Sequence, residues 1–293
     1  MNQKLLIIAN CQAPILARFM NAIAPGVRAS YIVAQGADVD KASKYMQRMR
    51  NSDAILHFDI SDSFFCKELT TSFIKSEFPD KSHVITNIYF SGLHPDATYV
   101  GRMNKRLQGP FGDYHSKICI AGFELGLPAQ TIADIVFSED AFQSLGYGEE
   151  FHSSAETLRA RDARADIKYA DRLIRHMLNA TLLPLYTLNH PASFVLLDYA
   201  KFLLAHLDLP FEDVPSNLYP DTLQRQTVIP VLPQIAKRLD LNYSLQKWKR
   251  PGAPEWYDYS EAVDLFYKTY EDKGADFGHV PGLKGIRELI REF

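Results

Sequence analysis

Cysteine is scarce in this chain of 293 residues, which contains only Cys11, Cys66 and Cys119. The three are widely spaced and odd in number, and no two of them form a CxxC pair. The sequence therefore predicts neither a disulfide framework nor a cysteine-rich zinc site. Because this use of cysteine is typical of reduced thiols, we expect a cytoplasmic protein without a metal centre.

A surplus of charge of one sign is also missing. The chain has 32 lysines and arginines against 35 aspartates and glutamates, which leaves a formal net charge of −3. A chain this close to neutrality has no general field that attracts a polyanion. We therefore expect no nucleic-acid partner.

Long hydrophobic runs are absent as well. The apolar run Leu5–Ala9 is shorter than the roughly 7–15 apolar residues of a secretory signal. The longest uncharged stretch, 179–197, carries Pro184, Asn189 and His190, and such residues are rare in a membrane-spanning helix. The sequence therefore predicts no membrane insertion.

The first ninety residues alternate β-rich runs with helical patterns. The predicted strands are Lys4–Ala9, Ala29–Val33, Ala54–Phe58 and His83–Tyr89, and the predicted helices between them are Pro14–Ile23, Val39–Arg50 and Phe64–Phe78. Strands that alternate with helices are typical of a parallel sheet with helices packed on its faces.

Helical patterns dominate the rest of the chain. The predicted helices are Ser116–Gly126, Pro128–Phe142, Ser153–Leu178, Pro191–Leu207, Val231–Leu241, Ser260–Asp272 and Leu283–Phe293. We therefore predict an α/β fold with a small parallel-sheet subdomain over residues 1–110. A mainly helical subdomain over 111–293 follows and packs with it as one continuous unit.

The first candidate motif is Asn10-Cys11-Gln12, between the first predicted strand and a helix that Pro14 can open. A thiol near a helix amino terminus is favoured as thiolate, the form that attacks acyl carbons. Backbone amides of the same turn can bind an oxyanion or a phosphate. The alternative is a buried structural thiol.

Residues that follow the strands of an open parallel sheet converge at one edge, where ligands bind. The polar residues in these places are Asn10 and Gln12 after the first strand, Asp59, Ser61 and Asp62 after the third, and Tyr89, Ser91, His94, Asp96 and Tyr99 after the fourth. Capping of a helix or turn is the alternative for Asp59 and Asp96.

The second candidate motif is Asn189-His190-Pro191, just before a helix that Pro191 can open. An imidazole at a turn, beside an amide that can orient it, suits a general base near neutral pH. Capping of the helix is again the alternative.

Two basic groups are candidates for binding phosphate. The first is Arg102, Lys105 and Arg106, and the second is Arg159, Arg161 and Arg164. Aspartates interleave the second group, which favours a solvated helix face there. The sequence contains no Walker loop, HExxH or GxSxG motif.

The chain resembles the WcbI family of polysaccharide-biosynthesis enzymes. The resemblance covers about Leu5 to Ala200 and rests on the segments LLIIANCQAPIL, VITNIYFSGLHPDATYV, ICIAGFELGL and TLNHPASFVLLDYA. One departure is Ala9, where the family pattern has glycine before the cysteine turn.

The resemblance implies a cradle-like, mainly helical fold with a pocket for coenzyme A. It also implies an acetyltransferase of capsular sugar that uses acetyl-CoA as cosubstrate and works beside partner proteins of glycan assembly. Cys11 and His190 are then the catalytic candidates. The binding candidates are Asn10, Gln12, Tyr89, Ser91, His94, Asp96, Tyr99, Arg102, Lys105 and Asn189.

Two further functions stay open from the residues alone. A strand, nucleophile turn and helix also suit a Cys/His hydrolase of an ester or thioester. A non-catalytic module that binds a coenzyme or a glycan is the third possibility. For the transferase, either Cys11 is acylated first, or the acyl group passes directly to the sugar and Cys11 only shapes the pocket.

Overall fold

The computed structural model describes residues 2–102 and 105–293. Within them the chain divides into two compact units. The first unit consists of residues 2–89, 156–176 and 190–220, and the second of 90–102, 105–155, 177–189 and 221–293. The predicted division at residue 110 separates the sequence by secondary-structure content, and it stays a prediction.

The first unit contains a four-stranded parallel sheet with the strand order β2-β1-β3-β4. Its strands are β1 (Gln3–Ala9), β2 (Val27–Val33), β3 (Ala54–His57) and β4 (Ser82–Val84). The helices between them are α1 (Ala13–Ile23), α2 (Ala42–Arg50) and α3 (Thr71–Glu77). The α/β fold class with an amino-terminal parallel sheet is therefore confirmed.

The central strand β1 explains why this sheet forms. Its run from Leu5 to Ala9 is buried throughout, as expected for a parallel strand with helices on both faces. Leu6 and Ile8 pack with Met49 of α2 and Ile74 of α3 in one apolar cluster. The sheet therefore holds the residue after β1, where the cysteine turn begins, on a rigid base.

The fourth predicted strand, His83–Tyr89, is wrong in length, because β4 ends at Val84. Its partner β3 ends at His57, whose carbonyl accepts the last ladder bond from the Ile85 amide at 2.8 Å. Beyond this point the Val84 carbonyl accepts bonds from the amides of Asp166 and Ile167. The predicted site residues from Tyr89 to Tyr99 therefore do not follow directly on a strand end.

After Tyr99 the regular secondary structure is mainly helical, as predicted. The remaining helices are α4 (Lys117–Leu125), α5 (Ala129–Phe137), α6 (Glu139–Ser144), α7 (Glu150–Asp162), α8 (Ala170–Asn179), α9 (Ser193–His206), α10 (Pro233–Leu239), α11 (Tyr259–Lys273) and α12 (Leu283–Ile290). Short strands accompany them: β5 (Ala97–Tyr99), β6 (Tyr114–Ser116), β7 (Leu185–Thr187), β8 (His190–Pro191), β9 (Trp248–Lys249) and β10 (Trp256–Tyr257).

Two predicted long helices are wrong, because each is broken by a capping side chain. Ser138 interrupts 128–142, since its hydroxyl accepts the Ala141 amide and caps α6. Asp162 interrupts 153–178, since its carboxylate accepts the Ala170 amide at 2.9 Å and so caps α8. The other oxygen of Asp162 accepts the hydroxyl of Thr86.

The core of the second unit is rich in aromatic side chains. Phe111 lies 4.9 Å from Trp248 and 5.2 Å from Phe266 between ring centroids, and Phe266 stacks on Tyr270. Helix α11 carries Phe266 and Tyr270 and packs on α4 and α5. Aromatic residues of α11 near the carboxyl end therefore serve packing.

Among the described residues, every helix is too short or too polar to cross a membrane. The same residues contain no group of three or more His, Cys, Asp or Glu side chains placed to hold a metal ion.

Candidate functional site

The cysteine turn joins β1 to α1 in the first unit and is held by its own residues. The Asn10 side chain accepts the Gln12 amide at 2.9 Å, and the Asn10 carbonyl accepts the Ala13 amide at 3.0 Å. Pro14 has no N–H. The amides of Gln12 and Ala13 are thus engaged within the turn, contrary to the expectation that this helix start offers several amides to an oxyanion.

The side chain of Gln12 anchors the turn to a second segment. Gln12 is buried, and its Nε2 donates to the Ile88 carbonyl at 2.8 Å. Asn10 is buried beside it, whereas Cys11 is half-buried. The geometry therefore favours a positioning role for Asn10 and Gln12, with Cys11 the more accessible member of the motif.

His190 belongs to the same unit as Cys11 and is also half-buried. It lies in β8, three residues before α9, so the predicted helix start at Pro191 is wrong by two residues. Ala192 rather than Asn189 or His190 is the helix N-cap, and no side chain caps this end. His190 is therefore not used as a helix cap.

Two packed helices relate the cysteine turn to the histidine turn. Helix α9 packs against α1, and the Ile23 carbonyl at the end of α1 accepts the Glu212 amide, six residues beyond α9, at 2.7 Å. Each of these packed helices is preceded by one of the two turns.

Tyr89 contacts one arginine of the second basic group. Arg161 donates to the Tyr89 carbonyl, and its guanidinium carbon lies 5.5 Å from the centroid of the Tyr89 ring. Burial lowers the pKa of Arg161. The sequence favours a solvated helix face for Arg159, Arg161 and Arg164. Arg159 and Arg164 do form exposed ion pairs, with Asp171 and Asp59, whereas Arg161 is more buried and contacts Tyr89.

Ser91, His94 and Asp96 lie in the second unit and bond to protein groups there. The Ser91 hydroxyl donates to Glu150 at 2.8 Å. His94 Nδ1 lies 3.0 Å from the Pro230 carbonyl, and burial lowers the pKa of His94 to about 4. Asp96 accepts bonds from an amide and two tyrosines. Burial of His94 and Asp96 favours a structural role for both.

Asn189 and Tyr99 are in contact in the second unit, and the sequence does not predict this contact. Asn189 Oδ1 accepts the Tyr114 hydroxyl at 2.5 Å and the Tyr99 hydroxyl at 3.5 Å. The Arg106 guanidinium lies 3.5 Å from the Tyr99 ring centroid and pairs with Asp113 at 2.6 Å. Sequence reasoning misses Tyr114, because no local motif surrounds it.

Arg102 and Lys105 of the first basic group are exposed. The Lys105 amide donates to the Arg102 carbonyl at 2.8 Å. Within the described part of the chain, neither side chain forms an ion pair with a carboxylate. Both cations face solvent, as a phosphate-binding role requires.

Comparison with known proteins points to one family. A model of the family described as polysaccharide biosynthesis enzyme WcbI matches residues 4–212. A solved structure of WcbI is similar over 99% of this chain and 99% of that chain, with a TM-score of 0.72 and 14% sequence identity. That structure is described as a novel polysaccharide biosynthesis enzyme without a disulfide bond between coenzyme A and one of its cysteines. At this identity the likeness concerns the fold alone. A search of curated proteins gives no match.

Proposed function

The chain belongs to the WcbI family of polysaccharide biosynthesis enzymes, and on that premise we propose that it is an acyl-CoA-dependent O-acyltransferase. The donor is acetyl-CoA, and the acceptor is a hydroxyl of a polysaccharide or of a nucleotide sugar. The description of the structural relative mentions coenzyme A together with one of its cysteines, as a pair without a disulfide bond. This supports a thiol of the present chain as the group that contacts the coenzyme.

The observation that carries the proposal is the half-buried Cys11 in a turn fixed by Asn10 and Gln12. The other two thiols differ from it. Cys66 and Cys119 are fully buried, and burial raises the pKa of both. Among the three cysteines, Cys11 is therefore the one suited to react with a thioester.

The first step forms an acyl-enzyme at Cys11. Its thiolate attacks the thioester carbonyl carbon, a new carbon–sulfur bond forms, and the bond to the coenzyme sulfur breaks. Coenzyme A leaves as a thiolate that takes a proton from solvent. Because one thioester replaces another, the step has little thermodynamic cost.

The second step transfers the acyl group to the sugar. The neutral imidazole of His190 accepts the proton of the acceptor hydroxyl while the hydroxyl oxygen attacks the acyl carbon. The carbon–sulfur bond to Cys11 then breaks, and the imidazolium returns its proton to the leaving sulfur. From the sequence, Arg102 and Lys105 are the candidates for binding phosphates, and Ser91, Tyr99 and Asn189 are candidates for binding the substrate or the coenzyme.

The first test follows coenzyme A release from acetyl-CoA without an acceptor. We expect a burst of free coenzyme A equal to the amount of enzyme, with the acetyl group on the Cys11 peptide by mass spectrometry. Cys11→Ala abolishes the burst, and the matched control Cys66→Ala retains it. Turnover that needs an acceptor but shows no burst would indicate direct transfer. Continuous release without an acceptor would instead indicate a hydrolase, and no release under any condition a binding module.

The second test separates the two steps. His190→Ala keeps the burst but lowers transfer to a sugar acceptor by about 10²- to 10⁴-fold, the range for loss of a general base. His206→Ala, at the exposed end of α9, serves as the control and retains both steps. Loss of the burst in His190→Ala would mean that the imidazole acts in the first step instead.

A further inference from the structure

A groove of about 710 Å³ lies in the first unit, and none of the catalytic or binding candidates named above lines it. Its walls are one face of α1 from Pro14 to Asn21, the middle of β2 around Tyr31, and Arg48 of α2. This volume is within the roughly 300–1,000 Å³ of small-molecule sites. The groove therefore has room for a ligand of nucleotide size.

The charge of the groove is positive. Arg18 and Arg48 both line it, and no acidic residue does. Within the described residues neither guanidinium forms an ion pair with a carboxylate. Two cations without a carboxylate in one concave site are typical of binding to phosphate groups.

Arg18 also has an unsatisfied donor. One terminal nitrogen donates to the Pro220 carbonyl at 3.2 Å, whereas Nε is buried and has no hydrogen-bond partner among the described residues. A buried N–H without an acceptor is costly and uncommon. Because Nε is sealed from solvent, an anionic oxygen of a ligand would satisfy it only after the guanidinium turns toward the groove.

The strand edge beside the groove is closed to another strand. The Asn21 amide group bonds to both the N–H and the carbonyl of Ala29, each at 2.8 Å, and Arg48 donates to the Tyr31 carbonyl at 2.8 Å. These bonds occupy the groups through which a peptide would extend the sheet. The occupant is therefore a small molecule rather than an added strand.

Tyr31 supplies an aromatic surface in the groove. It lines the site and is 44% exposed, so part of the side chain is open to a ligand. A nucleobase stacks on such a ring regardless of its identity. The groove thus combines an aromatic platform with two cations.

We propose that this groove binds a nucleoside diphosphate group, with its phosphates at Arg18 and Arg48 and its base on Tyr31. Which molecule supplies the nucleoside diphosphate rests on the proposed function, because two substrates of that reaction carry such a group. One is the phosphorylated ADP part of coenzyme A, and the other is the nucleoside diphosphate of a nucleotide-sugar acceptor.

Calorimetric titration of the full chain with two probes tests the proposal. The probes are UDP and adenosine 3′-phosphate 5′-diphosphate, with uridine and adenosine as controls without phosphate. We expect at least one nucleotide to bind, and each nucleoside to bind at least about tenfold more weakly. Binding of UDP alone assigns the groove to the acceptor, and binding of the adenosine nucleotide alone assigns it to coenzyme A. Binding of both supports the shared chemistry.

Variants show whether the binding occurs in this groove. Arg18→Met and Arg48→Met each weaken nucleotide binding by about tenfold or more, the effect of a lost charge-assisted hydrogen bond. The matched controls Arg28→Met on β2 and Arg50→Met on α2 lie outside the lining and leave affinity unchanged. Tyr31→Leu weakens binding, and Tyr31→Phe retains it. If Arg18→Met does not fold, Arg18→Gln and the Arg48 variant carry the test.

The proposal is overturned if neither nucleotide binds, or if affinity is the same in Arg18→Met, Arg48→Met and the unaltered chain. Its failure is distinct from failure of the acyltransferase proposal. A Cys11-dependent burst together with unaltered nucleotide binding in the arginine variants would contradict only the proposal that the groove binds a nucleotide. Groove-dependent binding without any acyl transfer would remove only the proposed activity.

Discussion

The first and second units each bind one aspartate through tyrosine, by one hydroxyl in the first unit and two in the second, but the other donors to the aspartate differ. In the first unit, Asp198 of α9 accepts hydrogen bonds from Nε and one terminal nitrogen of Arg172 at 2.6 and 2.5 Å, from the Tyr169 hydroxyl at 2.7 Å and from His176 Nε2 at 2.8 Å. Burial raises the pKa of Asp198, but the bonds from His176, Arg172 and Tyr169 outweigh it and hold that pKa well below its ordinary value.

In the second unit, the described groups that donate hydrogen bonds to Asp96 are all neutral. It accepts the Ile118 amide and the Tyr147 hydroxyl, both at 2.9 Å, and the Tyr259 hydroxyl at 3.0 Å. Burial, together with the charge of Asp96, raises the pKa of Tyr147 and Tyr259 well above the ordinary value. Both tyrosines therefore remain donors at every physiological pH.

The two aspartates also differ in whether water can replace a lost hydrogen bond. The Asp198 side chain is 19% exposed and its Arg172 partner 44%, so solvent can hydrate groups that lose a bond. Asp96 is 7% exposed and its tyrosine partners are buried. A lost bond in the second unit therefore leaves polar groups without solvent, which costs more free energy.

The largest expected effect is that of Asp96→Ala. It leaves one amide and two buried hydroxyls without their acceptor, and we expect the free energy of unfolding to fall by about 3–5 kcal/mol. Urea denaturation measures the change. The control Asp264→Ala, on the exposed face of α11, stays within about 0.5 kcal/mol. A loss below about 1 kcal/mol for Asp96→Ala would show that water enters this site.

Asp198→Ala is expected to have a smaller effect, a loss of about 1–3 kcal/mol, because Arg172 and His176 can be hydrated after the change. The double variant Asp198→Ala with Arg172→Met should lose less than the sum of the single losses, since the two side chains share one bond network. If Asp198→Ala costs more than Asp96→Ala, the comparison between the units is wrong.

Acid stability sharpens the same comparison through buried histidines. Burial lowers the pKa of His57 in the first unit, and of His94 and His115 in the second, to about 4. The unfolded chain takes up these protons near pH 6.5, so stability falls as the pH drops from about 6.5 to 4. Each histidine contributes a slope of up to about 1.4 kcal/mol per pH unit.

The measurement is the free energy of unfolding between pH 6.5 and 4.5 for His115→Gln and His57→Gln. Each variant should reduce the slope, and the uncharged control Ser144→Ala should leave it unchanged. If the units unfold in separate transitions, His57→Gln alters one transition and His115→Gln the other. An unchanged slope in both variants would contradict the burial of a neutral imidazole.

The sequence predicts the sheet well, because its signals are local. An apolar run followed by Pro14 marks β1 and the start of α1, and both lie within a residue or two of the predicted places. The overlong fourth strand shows the limit. The run after Val84 is as apolar as a strand, and only the end of β3 at His57 stops it, which is a matter of register between distant segments.

The turns that carry the candidate site can be predicted from the sequence, but the contacts between distant residues cannot. The sequence marks the turns at Cys11 and His190, but Asp96 is bound by Tyr147 and Tyr259, which lie 51 and 163 residues further along the chain. Arg18 and Arg48 likewise belong to two helices that the sequence describes only as packing elements. Arg48 bonds to the Tyr31 carbonyl of β2 and Arg18 lines the same groove, and no local sequence pattern records that these two arginines share a site.

Two helix caps give the smallest expected effect and test whether the Asp96 network extends beyond its direct partners. Thr70 caps α3 by accepting the Phe73 amide at 3.4 Å. Ser116 caps α4 by accepting the Cys119 amide at 3.0 Å, and its hydroxyl oxygen lies 3.2 Å from the Tyr259 hydroxyl oxygen. We expect Thr70→Ala to cost about 1 kcal/mol, an ordinary cap, and Ser116→Ala about 2 kcal/mol.

The same urea titrations measure both losses, with Thr70→Ser as the control that keeps a capping hydroxyl. In an Asp96→Asn background the cost of Ser116→Ala should change by at least about 0.5 kcal/mol, because the two side chains share the Tyr259 hydroxyl. The cost of Thr70→Ala, in the other unit, should not change. Equal losses at the two caps in both backgrounds would mean that Ser116 acts on its own helix only, and that the buried carboxylate of the second unit is supported by its direct donors alone.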